Sequence, residues 1–114
     1  MNEVVEKISE KLELMSDQEL NALVAINFDH WRHSAEASAW NPAGNAGHAH
    51  DLMDKLLEDG LYVNLIGRPG EWTCEIMDKQ AKVYAEIAAQ TLPRAVCEAA
   101  LISILTKYGE MIKV

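Results

Sequence analysis

The sequence predicts an α+β fold, in which a three-stranded antiparallel β-meander packs with helices as a layered α/β/α sandwich, with an extra N-terminal helix. Three observations predict it. Apolar residues recur at helical spacing near both ends and in the middle, two runs rich in β-branched residues flank a turn, and a third run alternates apolar with polar residues. At 114 residues the chain is the size of one domain with one core.

The N-terminal part of the chain shows two amphipathic helical patterns. Over residues 3–15 the apolar positions recur at spacings of three and four, with charged residues between them. Ser16 and Glu19 then form a capping box, which predicts the start of a second helix. The apolar stripe of the second helix is Leu20, Val24, Phe28 and Trp31. We divide the chain into an N-terminal helix, residues 1–15, and a main domain, residues 16–114.

The helical pattern fails over residues 32–47, which are mostly small or turn-forming. We predict an irregular connection there, with a short strand near residues 39–40. Helical spacing returns at Ala49. Gly60 is suited to the left-handed position that ends a helix, with Leu61 packing back on the last turn.

Three strands are predicted in the second half. Residues 61–66 and 72–77 are rich in β-branched and aromatic side chains, and residues 67–71 between them are typical of a turn, so they predict a β-hairpin. Residues 82–88 alternate like a third strand, although their alanines and charges also suit a helix. We favour the strand.

The last helix is predicted to begin at Thr91, whose hydroxyl can cap it, and to end at Gly109. Pro93 is tolerated in the first turn. Apolar residues cover most of the circumference of this helix, so we expect it to be central, with its alanines allowing close approach to the sheet.

The chain is acidic, with 18 Asp and Glu residues against 10 Lys and Arg residues and a net charge of -8. This charge repels polyanions and argues against general nucleic-acid binding, and it makes a basic partner more plausible. The alternative is that the acidity serves solubility alone.

Features of the chain predict a cytoplasmic protein. No apolar run approaches the roughly 20 residues that span a bilayer, and the N-terminus is acidic where a secretory signal is basic and then apolar. Cys74 and Cys97 are too few for a disulfide scaffold, so we expect both to be reduced and buried.

Several segments together resemble a known family. The segments are residues 16–25, Trp40 with Pro42, Trp72, and residues 91–101 with their threonine cap, proline and alanine-rich helix. In order and spacing they resemble the phage ABA sandwich domain family, small proteins of bacteriophages and prophages. The resemblance implies a phage origin and a layered helix and sheet fold, and it brings no agreed activity. The chain departs from the family pattern at residues 45–48 and in its added N-terminal helix.

The four histidines lie in one short stretch and are the candidate metal ligands. They are His30, His33, His48 and His50. Four imidazoles could fill a tetrahedral zinc shell. Their spacing matches no established zinc motif, so the alternative is that they are surface or interface residues.

Aromatic residues give a second candidate site. Trp31 and Trp40 bracket the irregular segment and could form the wall of a groove with Tyr62 or Trp72. The alternative is that the indoles anchor this segment to the core.

The arginines Arg32, Arg68 and Arg94 complete the set of candidate ligand-binding residues. Arg94 follows Thr91 in the first turn of the last helix, where free amide groups and a guanidinium could bind a small phosphorylated ligand. The alternative is that Arg94 pairs with a nearby carboxylate.

The sequence contains no serine elbow, phosphate loop, metalloprotease motif or deaminase motif, so we expect neither catalysis nor a cofactor. We favour a non-enzymatic phage accessory protein that counters host defence by binding, either to a small nucleotide signal or to a basic host protein. One alternative is a phage structural or assembly component that forms a homodimer or higher oligomer through its first helix. Another is a metal-dependent enzyme built on the histidines.

Overall fold

A computed structural model describes residues 3–28 and 40–109, which form four helices and three strands. The elements are α1 (Glu3–Leu14), α2 (Asp17–Phe28), α3 (Ala46–Glu58), β1 (Tyr62–Arg68), β2 (Glu71–Met77), β3 (Val83–Ala89) and α4 (Leu92–Tyr108). The α+β class, the three-stranded meander and the N-terminal helix are therefore confirmed. The ambiguous residues 82–88 belong to a strand.

The three strands form an antiparallel sheet in the order β1-β2-β3. The first hairpin is tighter than predicted, because β1 extends to Arg68 and β2 begins at Glu71, which leaves Pro69 and Gly70 as the turn. Gly70 has a φ of 76°, which a glycine adopts without steric cost.

Helix α4 is the centre of the fold, as predicted. It contacts strands β2 and β3 as well as helices α1, α2 and α3. All nine of its residues from Ala95 to Ser103 are buried. The Thr91 hydroxyl caps its N-terminus by accepting from the Arg94 amide at 3.4 Å, and Gly109 ends it at a φ of 79°.

The described helices cover one face of the sheet. Side chains on this face are buried, among them Cys74, Ile76 and Ala85. On the opposite face of β1, Tyr62 and Ile66 are exposed by 55% and 42%. The sheet is therefore packed with the described helices through this face, in agreement with the predicted α+β fold.

The apolar stripe of α1 packs inside the molecule. Val5 and Leu12 are buried, and Ile8 and Met15 are half-buried against the core. Oligomerisation through this stripe, on which the assembly hypothesis relied, would require α1 to leave its own core.

Both ends of α3 have clear local causes. The helix begins at Ala46, three residues before the predicted Ala49, because the Asn45 side chain caps it by accepting from the His48 amide at 3.0 Å. Its predicted end is confirmed, since Gly60 has a φ of 84° and the Leu61 amide donates to the Leu56 carbonyl at 3.1 Å.

The predicted irregular segment is described only from Trp40 onward. Trp40 itself lies in no strand, whereas the rest of the predicted short strand falls on residues outside the described ranges. No helix formed by the described residues is long and apolar enough to cross a membrane.

The turn between β2 and β3 is closed by Asp78. Its Oδ1 accepts from the amides of Gln80 at 2.9 Å and Lys82 at 3.0 Å, and these bonds lower the pKa of the carboxyl. Ala81 in the same turn has a φ of 66°, where its Cβ is crowded by the backbone. The turn therefore contains a strained residue that glycine would relieve.

We expect Ala81→Gly to stabilise the protein by about 1 kcal/mol, because the left-handed strain is removed at a smaller entropic cost. Ala22→Gly, at an exposed position inside α2, is the matched control and should destabilise by about 1 kcal/mol. Urea unfolding of both variants measures the difference. If the two substitutions changed the free energy of unfolding equally, Ala81 would not be strained.

Candidate functional site

Arg94 joins the end of α1 to the start of α4. Its guanidinium lies in the first turn of α4, and its side chain is only 16% exposed. Nη1 donates to the Met15 carbonyl at 2.8 Å, and Nη2 donates to the carbonyls of Leu12 at 3.0 Å and Glu13 at 3.5 Å. The helix dipole favours a cation beside the carbonyls at the C-terminal end of a helix, and the Leu12 carbonyl also accepts from the Met15 amide at 3.2 Å.

The remaining donors of Arg94 go to two carboxylates. Nη1 donates to Asp17 Oδ1 at 3.2 Å, and Nε donates to Glu98 Oε2 at 3.1 Å. A guanidinium has five N–H groups, and the five hydrogen bonds account for all of them. The geometry therefore favours the alternative prediction, in which Arg94 pairs with carboxylates, over the prediction that it binds a phosphorylated ligand.

A cavity of about 620 Å³ opens beside this network. It lies between the end of α1, the start of α2, the end of β3 and the first turns of α4. Three carboxylates contribute to its lining, from Glu13, Asp17 and Glu98. Arg94 is the single cation among the lining residues, so the cavity has an excess of negative charge.

Glu98 is the unusual member of this site. The residue is only 2% exposed, and its Oε1 is buried without a hydrogen-bond partner. Burial raises the pKa of the Glu98 carboxyl, against the lowering effect of Arg94. A buried carboxylate oxygen without a hydrogen-bond donor raises the free energy of the folded protein. An N–H group that reached Glu98 Oε1 would lower that free energy.

The candidate histidines do not form the predicted site within the described residues. His48 Nδ1 accepts from the Asn41 amide at 2.9 Å, which ties the turn before α3 to that helix. His50 is exposed and lies 3.5 Å from Asp54. Positions two apart on a helix point in different directions, so these two rings diverge. His30 and His33 lie outside the described residues.

The candidate aromatic groove is likewise not assembled by the residues that the structure describes. Trp40 is 3% exposed and belongs to the core, as the alternative prediction had it. Trp72 is half-buried opposite Gly67, on the covered face of the sheet, whereas Tyr62 is exposed on the other face. Trp31 falls outside the described residues.

Of the remaining candidates, Arg68 is exposed in the hairpin at 3.8 Å from Glu71, and Arg32 lies outside the described residues. Thr91 and Arg94 are thus the two predicted ligand-binding residues that the structure brings to one cavity.

Both cysteines are buried thiols, as predicted. Burial raises the pKa of Cys74 to about 12, and burial also raises the pKa of Cys97. Neither thiol is therefore in a setting that produces a reactive thiolate.

Sequence reasoning missed Glu98, Asp17 and Glu13 as cavity residues. A signal for Glu98 was present, because it is a lone carboxylate in the apolar run of the last helix and follows Arg94 by four residues. The other two could not be found from local patterns, since the tertiary contacts of α1 and α2 with α4 bring them to the cavity.

The fold and the site together define a small α+β domain with an acidic, solvent-open cavity at the N-terminal end of its central helix. The chain belongs to the phage ABA sandwich domain family, whose model matches residues 26–101. It is thus a small phage protein. The match includes the predicted segment 91–101 and begins after residues 16–25. No curated protein and no solved structure matches the chain.

We expect Arg94→Met to destabilise the protein by about 3 kcal/mol, because it leaves Glu98 buried without its partner and uncaps α1. Arg68→Met removes an exposed arginine and should cost less than about 0.5 kcal/mol. The double variant Arg94→Met/Glu98→Leu should recover part of the loss, since it also removes the buried charge. The free energy of unfolding in urea measures all three, and a similar cost for the two single substitutions would contradict the role of Arg94.

Proposed function

We propose that this phage protein acts by binding a basic protein of its host, in the cytoplasm and in counter-defence, and that it has no catalytic activity of its own. The single observation that carries the proposal is the acidic cavity. Three carboxylates line it, and the donors of its one arginine are already used within the protein.

Charge supports a basic partner on two length scales. The whole chain has a net charge of -8, which attracts cationic surfaces and speeds their encounter. At short range, Asp17 at the cavity is 55% exposed, so its carboxylate is available to a partner as well as to Arg94. The same charges act against the alternative of a nucleotide signal, because its phosphates would face carboxylates without a free guanidinium.

The size of the cavity supports an organic group, such as a side chain of a protein partner, over a small ion. A volume of about 620 Å³ lies within the range of sites that enclose whole organic groups. Among the described residues, one group of three side chains brings metal-ligating atoms within 4.8 Å of one another, and it is the exposed set His50, Asp51 and Asp54 on α3. The carboxylates of the cavity are not arranged as a metal site.

We expect the protein to bind a short fluorescent peptide of alternating lysine and serine, and not its glutamate counterpart. The double substitution Glu13→Gln/Asp17→Asn should weaken binding about fivefold, because it removes two charges at the cavity. Fluorescence anisotropy at rising salt measures the affinity, which should fall as the charges are screened.

The matched control is Asp51→Asn/Glu58→Gln, which also removes two negative charges, but from the exposed surface of α3. Its affinity for the peptide should stay within about twofold of the unchanged protein. Equal losses for the two double variants would show that net charge alone attracts the peptide. Absence of peptide binding would overturn the proposal.

A further inference from the structure

We infer that the cavity receives one lysine side chain of the partner, whose ammonium group donates a hydrogen bond to Glu98 Oε1. The inference rests on the proposed function and names the chemical group that the site recognises. It starts from Glu98, a carboxylate whose Oε2 is bound by Arg94 Nε at 3.1 Å and whose Oε1 has no donor.

The unsatisfied oxygen of Glu98 indicates what kind of chemical group would bind there. Oε1 accepts hydrogen bonds and cannot donate them while Glu98 is ionised, so the ligand must supply an N–H or O–H group. A cationic donor is favoured, because hydrogen bonds between ions are stronger than neutral ones and because Glu13 and Asp17 line the same cavity. An anion would meet repulsion from all three carboxylates.

The apolar part of the lining favours an alkyl chain next to the charged group. Met15, Ala88 and Ala89 contribute aliphatic surface to the cavity. Lysine has a four-carbon stem that can cover such a surface while its ammonium group reaches a polar partner. The ammonium group is also compact, whereas the planar guanidinium of an arginine needs a broad, forked acceptor.

Access to Oε1 requires a small adjustment, because this atom is buried. Met15 is half-buried at the cavity, and its side chain is unbranched and flexible. Gln90 at the end of β3 is exposed and also lines the cavity. The inference requires that these two flexible side chains move to admit the ammonium group.

The test uses a short peptide with one lysine between serine residues, titrated into the protein and followed by NMR. Glu98→Gln should weaken binding at least about tenfold, because a charge-assisted bond to Oε1 is lost. The amide keeps an oxygen for Arg94 Nε, so the fold should be retained, and a thermal melt checks this. Glu58→Gln is the matched control on the surface of α3 and should leave binding unchanged.

Changes in the peptide test the same contact without altering the protein. Replacing its lysine by norleucine should abolish binding, and replacing it by arginine should weaken binding several-fold. If basic peptides bind but Glu98→Gln has no more effect than Glu58→Gln, or arginine binds as well as lysine, this inference is overturned and the proposed function stands. If no basic peptide binds, both are overturned.

Discussion

The architecture around the cavity depends on the hydrogen bonds that the guanidinium of Arg94 donates. One side chain donates to carbonyls at and just after the end of α1 and pairs with a carboxylate at the start of α2 and with another on α4. Helix α1 has only two buried side chains, Val5 and Leu12, so polar contacts to its end are a large part of what fixes its position. The family match begins at residue 26, yet residues before that position supply one side of the cavity.

The same interaction determines the electrostatics of the site. Because the donors of Arg94 are used internally, its single charge only partly offsets the two carboxylates it contacts, and no N–H group is left free toward the cavity. Glu98 receives one of these bonds on Oε2, and its Oε1 remains buried without a partner. Most buried polar atoms in proteins have a hydrogen-bond partner, which is why Glu98 is the focus of the proposed contact.

Much of the fold could be predicted from the sequence because its signals are local. The capping box at Ser16, the glycine stop at Gly60 and the threonine cap at Thr91 each depend on residues within a few positions. The start of α3 was misplaced because Gly47 and the turn residues before it obscured the Asn45 cap. The hairpin turn was predicted too long, since strand pairing extends the ladder through Gly67 and Arg68, which have weak strand preference.

The site was predicted less completely, for a physical reason. Arg94 and Thr91 stood out from their place at a helix start, but the role of Arg94 depends on carbonyls and a carboxylate about eighty positions away in the chain. The periodicity of apolar residues in the sequence does not indicate such a long-range contact. The histidines formed the sharpest local pattern, yet α3 directs His48 and His50 apart and uses His48 in a structural hydrogen bond. The two described histidines therefore do not line the cavity, whereas Glu98, a single carboxylate in an apolar helix, does.

Carbon-13 NMR of the side-chain carboxyl of Glu98 tests most directly whether this buried carboxylate binds a cation. The pKa of Glu98 should lie above the ordinary value of 4.5 in the protein alone. It should fall when n-butylammonium chloride is added, because a nearby cation favours the ionised form. A pKa at or below 4.5 that does not respond to the amine would contradict the account.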